Sequence, residues 1–185
     1  MVMFDVPGGP AAGDGAVPPP IAVRLFDMAG QAEYYGSHQP FLDKGSLYLL
    51  VCDLSMEDDA QRQRYMRTWV ETLGSRAPGS PVVLVGTHRG AAKAIKKRLE
   101  DKASVLTPLE QTALKASLSR LERITEGADG KWKCAEVDAY VAELHTQLGH
   151  LVDISPHFHF IDSVSPAKGD RAEMASLRKC LDQAM

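Results

Sequence analysis

Five consecutive residues, Asp27-Met28-Ala29-Gly30-Gln31, follow a short apolar run and hold the groups that phosphoryl transfer needs. A carboxylate at a strand end holds Mg²⁺ through a bound water, because Mg²⁺ takes few carboxylates and keeps several waters. A glycine N–H approaches a terminal phosphate with no Cβ in the way. A glutamine beside it orients an attacking water. In this chemistry Asp27 serves the metal, Gly30 the phosphate and Gln31 the water. The same spacing is also that of an ordinary capped glycine turn, so the surrounding elements decide its weight.

Two further strand-and-loop segments end in polar residues. In Val83-Leu84-Val85-Gly86-Thr87-His88-Arg89-Gly90, Thr87 and His88 open a loop of the kind that packs against a purine base. In Phe158-His159-Phe160-Ile161-Asp162-Ser163-Val164-Ser165, a second loop holds Ser163, Val164 and Ser165. His157 and His159 share a strand face by period two, but a third metal ligand is not evident. Asp27, Ser37 and His38 do not make a hydrolytic triad, because no nucleophile elbow accompanies them. Lys93, Lys96, Lys97 and Arg98 read as a solvated helix face.

The elements that must position these groups alternate in type. Strand patterns fall at 2–6, 21–26, 47–54, 81–86 and 158–161. The 47–54 run is continuously apolar, as in a strand buried on both faces. Helical patterns separate the strands. Residues 59–73 place Tyr65, Met66, Trp69, Val70 and Leu73 at helical spacing, with Gly74 as a stop. A short basic helix is expected over 91–102. Thr107-Pro108-Leu109-Glu110 combines an N-cap, a proline at the first helical position and a capping-box acid, and that helix runs through Leu114, Leu118 and Leu121 towards Gly127. Residues 127–130 make a turn, and 131–137 are open between extended and helical. A further helix carries Val137, Val141, Leu144, Leu148 and Leu151. A last one opens at Asp170 with Glu173 and carries Met174, Leu177 and Leu181. This order is that of an α/β domain with a mostly parallel sheet flanked by helices. Ligands of such sheets sit at the carboxyl ends of the strands, after Phe26, Gly86 and Ile161. Residues 1–20 form a short strand and a flexible Pro/Gly/Ala-rich loop, and 21–185 form one domain.

Composition narrows the function class. The chain has 185 residues, 44% hydrophobic and 24% charged, with net charge −3, which gives no bulk electrostatic case for nucleic acid. The three cysteines, Cys52, Cys134 and Cys180, have no metal or redox spacing and read as core fillers of a reduced, cytoplasmic protein. Asp5 and the lack of a basic n-region argue against a signal peptide, and the longest apolar run is too short to span a bilayer.

Residues 21–55 resemble the Roc domain of Roco proteins, the Ras-like GTPase module of leucine-rich-repeat kinases and their relatives. The pattern D-x-A-G-Q-x-E-Y-Y-x-x-H-x-x-F-L falls on Asp27, Ala29, Gly30, Gln31, Glu33, Tyr34, Tyr35, His38, Phe41 and Leu42. Val85-Gly86-Thr87-His88 resembles the base-recognition loop, 158–165 the last strand with its base-contacting loop, 174–181 the final helix, and Phe4-Asp5-Val6 the second strand. The resemblance implies a Ras-like P-loop NTPase fold that binds GTP or GDP with Mg²⁺. Asp27 would hold Mg²⁺ through water, Gly30 would contact the γ-phosphate and Gln31 would position the water. Thr87, His88, Ser163, Val164 and Ser165 would border the base. It also implies protein partners such as COR-type or kinase domains or a second Roc domain.

Three departures stand beside the resemblance. No G-x-x-x-x-G-K-[ST] occurs, so the phosphate-cradling amides, the phosphate lysine and a Mg²⁺ hydroxyl are not supplied. The family's switch I with its Mg²⁺-binding threonine precedes Met1 in the expected order. Gly90 stands where the family places the acid that reads the donor edge of guanine. The expectation is therefore a truncated fold without its central P-loop strand, leaving the strands at 21–26 and 47–54 with open edges. The expected function is a GTP-binding signalling domain with weak or no binding and hydrolysis of its own, serving as a regulatory or protein-interaction module. Two alternatives are a GTPase domain whose P-loop and switch I lie outside these residues, and an unrelated α/β phosphotransferase or phosphatase using Asp27, with Asp53 and Asp162 at the other strand ends.

Overall fold

The structure is a computed structural model that describes residues 2–6, 21–28, 39–56, 58–102, 104–129, 131–162 and 168–184. It divides into two units, Met1–Leu42 and Asp43–Met185. In the first, β1 (Val2–Val6) pairs antiparallel with β2 (Ile21–Leu25), Val2 opposite Leu25 and Val6 opposite Ile21. A 3-10 turn at Gln39–Phe41 brings Phe41 to Phe26, with ring centroids 5.3 Å apart, and Leu42 is buried beside it in sequence.

The second unit is built on three parallel strands: β3 (Tyr48–Asp53), β4 (Pro81–Thr87) and β7 (Asp153–Phe160), in the order β3-β4-β7. The helix α1 (Asp59–Arg76) connects β3 to β4. Its N-cap Asp58 accepts a hydrogen bond from the Gln61 amide at 3.0 Å, and Met66, Val70 and Leu73 form its buried stripe. After β4 come α2 (Ala92–Asp101), α3 (Pro108–Glu122), a small hairpin of β5 (Thr125–Glu126) and β6 (Trp132–Lys133), and α4 (Ala135–Leu148). The final helix is α5 (Lys168–Ala184). Val83 and Val85 of β4 pack on Leu177 of α5, while Val82 and Leu84 turn to the opposite face by the strand alternation and are 0% exposed. The sheet is thus the expected parallel one with helices against it.

The capping box forms as the sequence predicts. Thr107 Oγ1 accepts from the Glu110 amide at 3.3 Å, and Glu110 Oε2 accepts from the Thr107 amide at 2.8 Å. The helix it opens ends at Glu122, short of Gly127, because the chain turns into the β5–β6 hairpin; residues 131–137 resolve into one short strand and the start of α4.

Four expectations are corrected. Gly74 does not stop α1, which continues to Arg76. Its missing side chain serves packing, since a Cβ there would stand 2.7 Å from Leu151 Cβ. The run at 47–54 is not buried on both faces. Leu49 and Val51 pair with Val83 and Val85 and so share the face that α5 covers, yet they are 40% and 62% exposed. β3 is an edge of its sheet among the described residues, with β4 on one side alone. The last strand begins at Asp153, five residues earlier than its apolar pattern. Pro156 breaks that pattern, and the register slips between Val82 opposite Ile154 and Leu84 opposite Phe158. The slip also separates the two histidines: His157 is exposed, whereas His159 is 1% exposed. No cluster of metal-ligating side chains occurs among the described residues. No helix of the described residues is long and apolar enough to cross a membrane.

Candidate functional site

The parallel register brings the carboxyl ends of β3, β4 and β7 side by side. Asp53 is paired with Thr87, and Gly86 with Phe160. One step beyond the ladder, the Ile161 amide donates to the Gly86 carbonyl at 2.8 Å, and the Leu54 amide donates to the Thr87 carbonyl at 3.0 Å. These bonds tie the carboxyl ends of the three strands to one another.

Thr87 closes β4 with its hydroxyl donating to the Cys52 carbonyl at 3.2 Å. His88 then adopts φ 60, ψ 26, the one left-handed non-glycine backbone among the described residues. Such a conformation costs on the order of 1 kcal/mol and persists where surrounding contacts hold it. Those contacts are present. His88 Nδ1 lies 3.3 Å from Thr87 Oγ1 and 3.3 Å from Asp53 Oδ1. The same Asp53 oxygen accepts from the Ser55 amide at 2.7 Å and the Ser55 hydroxyl at 2.6 Å. The Ala91 amide donates to the His88 carbonyl at 3.0 Å, which winds the chain into α2. Asp53 is thus the anchor of the histidine rather than a free acid at a strand end. Sequence reasoning placed Asp53 at a strand end but did not connect it to His88; the left-handed turn, invisible in residue type, makes the connection.

Gly90 lies against the third strand end. An ideal Cβ on Gly90 would stand 1.9 Å from Asp162 Oδ2, closer than any real side chain tolerates. Asp162 is 6% exposed. Arg89 stacks its guanidinium 3.7 Å from the centre of the Trp132 ring. The Trp132 amide donates to Glu173 Oε1 at 2.8 Å, and Glu173 Oε2 lies 3.4 Å from His159 Nδ1. His159 and Glu173 are 1% and 2% exposed. The loop after β4 is therefore tied through Arg89 and Trp132 to a buried acid of α5. The spacing of Arg89, Trp132 and Glu173 in sequence carries no signal of this chain of contacts.

Of the residues singled out from sequence, Thr87 and His88 stand together at this strand-end cluster. Asp27 follows β2 in the other unit and is exposed. Gly30, Gln31, Ser37, His38, Ser163, Val164 and Ser165 lie outside the described residues. Lys93, Lys96, Lys97 and Arg98 are all exposed on α2, as a solvated face requires.

Residues 17–90 match the family model described as "Ras of Complex, Roc, domain of DAPkinase". Residues 17–90 are thus those of a Roc domain. Its α/β fold, with a parallel sheet flanked by helices, is accordingly the Ras-like P-loop fold. Curated relatives agree. Over 69 residues the chain is 41% identical to "Leucine-rich repeat serine/threonine-protein kinase 1" of Caenorhabditis elegans, covering 37% of this chain and 3% of that protein. It is 33% identical over 87 residues to "Probable serine/threonine-protein kinase pats1" of Dictyostelium discoideum, covering 44% of this chain and 3% of that protein. It is also 30% identical over 109 residues to "Malignant fibrous histiocytoma-amplified sequence 1" of Homo sapiens, covering 56% of this chain and 10% of that protein. The chain thus spans a small fraction of the length of these relatives.

Proposed function

We propose that this Roc domain binds a guanine nucleotide weakly, with little or no hydrolysis of its own, and serves as a regulatory or protein-interaction module. Residues 21–185 form that domain in this reading. The observation that carries it is the meeting of the Thr87-His88 loop with the end of β7, through the Gly86–Ile161 hydrogen bond of 2.8 Å, in a Roc-family chain. A base seated there borders Thr87 and His88, with Ser163, Val164 and Ser165 completing its rim. By the family resemblance Asp27 would hold Mg²⁺ through water, Gly30 would meet the terminal phosphate and Gln31 would position the water. Weak retention follows from the phosphate side: no G-x-x-x-x-G-K-[ST] occurs among the 185 residues, and its amides and lysine supply most of the grip on a triphosphate. Partners of the COR or kinase type, or a second Roc domain, fit a module whose relatives include long kinases, and a cytoplasmic location fits three cysteines that form no disulfide among the described residues. Isothermal titration with GTP and Mg²⁺, alongside a phosphate-release assay, tests the reading. Weak binding without release supports it, and sustained release at saturating GTP contradicts it.

The exposed edge of β3 favours a second reading. Val51 is 62% exposed on a face whose neighbouring strand is covered, so a further strand and helix fit there. In this reading a segment carrying G-x-x-x-x-G-K-[ST] completes an active GTPase. An in-frame coding segment with that motif upstream of Met1 supports it, and a transcript that begins at Met1 removes it.

A further inference from the structure

We infer that the lysine face of α2, together with Val105 and Leu109 at the corner that follows it, is a docking surface for an anionic lipid bilayer. This surface is independent of nucleotide binding.

Val105 and Leu109 are each 80% exposed, more than any other large apolar side chain among the described residues. Both stand where α2 ends and α3 begins. The Lys102 carbonyl accepts from the Val105 and Leu106 amides, each at 3.0 Å, so Val105 sits one tight turn beyond the C-cap of α2. Lys102 itself is exposed. On α2, Lys93, Lys96 and Lys97 are exposed and share one face by helical spacing, with the buried Ile95 opposite. A basic face and an apolar corner therefore adjoin along one short stretch of chain. Elsewhere basic side chains meet acids: Arg67 lies 3.0 Å from Glu71, Arg123 3.0 Å from Glu136 and Lys133 3.3 Å from Asp129. Lys93, Lys96, Lys97 and Lys102 join no ion pair with a described residue. Glu100 shares their face and Asp101 borders it, so four lysines stand against two carboxylates in a chain whose net charge is −3.

Two forces hold a helix to a bilayer surface, and this stretch supplies both. Lysines are drawn to anionic headgroups, and apolar side chains bury at the boundary between headgroups and acyl chains. The residue types favour a bilayer over a protein partner. A lysine ammonium on its flexible stem follows a diffuse anionic surface, whereas a carboxylate of fixed geometry is matched better by the planar arginine fork. Protein interfaces are enriched in arginine and aromatic side chains and depleted in lysine. The face of Lys93, Lys96 and Lys97 holds no arginine and no aromatic residue. The contact is peripheral, since no helix of the described residues is long and apolar enough to cross a membrane. Attraction to the headgroups fades beyond a Debye length, about 10 Å at 0.1 M salt, so α2 lies along the surface.

The test is flotation of the 185-residue chain with vesicles of phosphatidylcholine alone, or with about one quarter phosphatidylserine, at about 0.1 M and about 0.5 M salt. Retention on a polyglutamate resin is the acidic-protein arm, and thermal melts check the fold of each variant. The wild type is expected to float with the phosphatidylserine vesicles at the lower salt, and neither with phosphatidylcholine alone nor at the higher salt. Lys93→Gln with Lys96→Gln and Lys97→Gln is expected to lower the partition coefficient by about 10-fold or more. Val105→Ser with Leu109→Ser is expected to lower it by about 5-fold or more while the melting temperature stays that of the wild type. A wild-type chain that does not float, or a folded lysine variant that floats as well as the wild type, overturns the assignment. Undiminished flotation of the folded apolar variant overturns it too. Retention on polyglutamate without flotation makes the face a site for an acidic protein and overturns the bilayer. If one variant does not fold, the other decides. Each of these failures leaves the nucleotide reading standing.

Discussion

Asp162 Oδ2 stands 1.9 Å from the position a Cβ on Gly90 would take, so the glycine of the loop after β4 and the acid of the loop after β7 occupy one volume between them. The smallest enlargement of Gly90 must push a buried carboxylate aside. Gly90→Ala is expected to destabilise the chain by about 1–3 kcal/mol, the usual range for overpacking. Asp162→Ala should remove most of that penalty in the double variant, a coupling that urea denaturation of the four proteins measures directly. Additive effects of the two changes would show that the residues do not share space.

Glu173 holds the far end of the same loop. It accepts from the Trp132 amide at 2.8 Å and lies 3.4 Å from His159 Nδ1, with both side chains buried. Glu173→Ala strands the Trp132 amide and is expected to cost roughly 2–3 kcal/mol. Glu173→Gln retains an oxygen acceptor and should cost distinctly less. Equal denaturation midpoints for the alanine variant and the wild type would remove Glu173 from the account.

Tyr140 lies in α4 and reaches α1. Its hydroxyl donates to the Gln63 carbonyl at 2.6 Å, and burial pushes its pKa from 10 up to about 12. A raised folded-state pKa means that this tyrosine's contribution is fully present below pH 10 and is lost as pH rises from 10 towards 12. Burial likewise raises the Tyr48 pKa, so wild-type stability falls in the alkaline range from both. Tyr140→Phe should lose about 1 kcal/mol at pH 8 and show a shallower alkaline decline. Chemical denaturation at pH 8, 10 and 11.5 reads both effects; parallel pH profiles for variant and wild type would contradict them.

The features legible in the sequence were those whose cause is local. The Thr107–Glu110 capping box rests on residues three apart, and it forms as written. Residues 81–86 announced β4 because that strand is covered on both faces. Features set by distant contacts were not legible. Gly74 looks like a stop until Leu151 is seen against it, and Pro156 hides the first half of β7 because its consequence is a register slip against β4. The run 47–54 reads as a central strand by composition, yet composition cannot say whether a neighbour is present beyond Leu49 and Val51. At the candidate site, Thr87 and His88 were found by pattern. Asp53 and Asp162 entered only as strand-end acids of the phosphotransferase alternative, and Trp132 and Glu173 had no role there, because each reaches the loop through the sheet register or across a helix.

Thr107 offers a check on the local part of the account. Thr107→Ala removes the N-cap oxygen while leaving the strand-end loops untouched. It is expected to cost about 1 kcal/mol, measured as a shift in urea midpoint with an unchanged slope. No shift would mean that the capping box contributes nothing to α3.

The central claim is that this Roc domain has a guanine site without an effective phosphate grip. The most direct measurement titrates the 185-residue chain with GTP and with ATP in the presence of Mg²⁺, and follows phosphate release in the same samples. The account predicts weak heat of binding for GTP, less for ATP, and phosphate release no faster than in buffer. Tight GTP binding with multiple turnovers, abolished by Gln31→Ala, would contradict it.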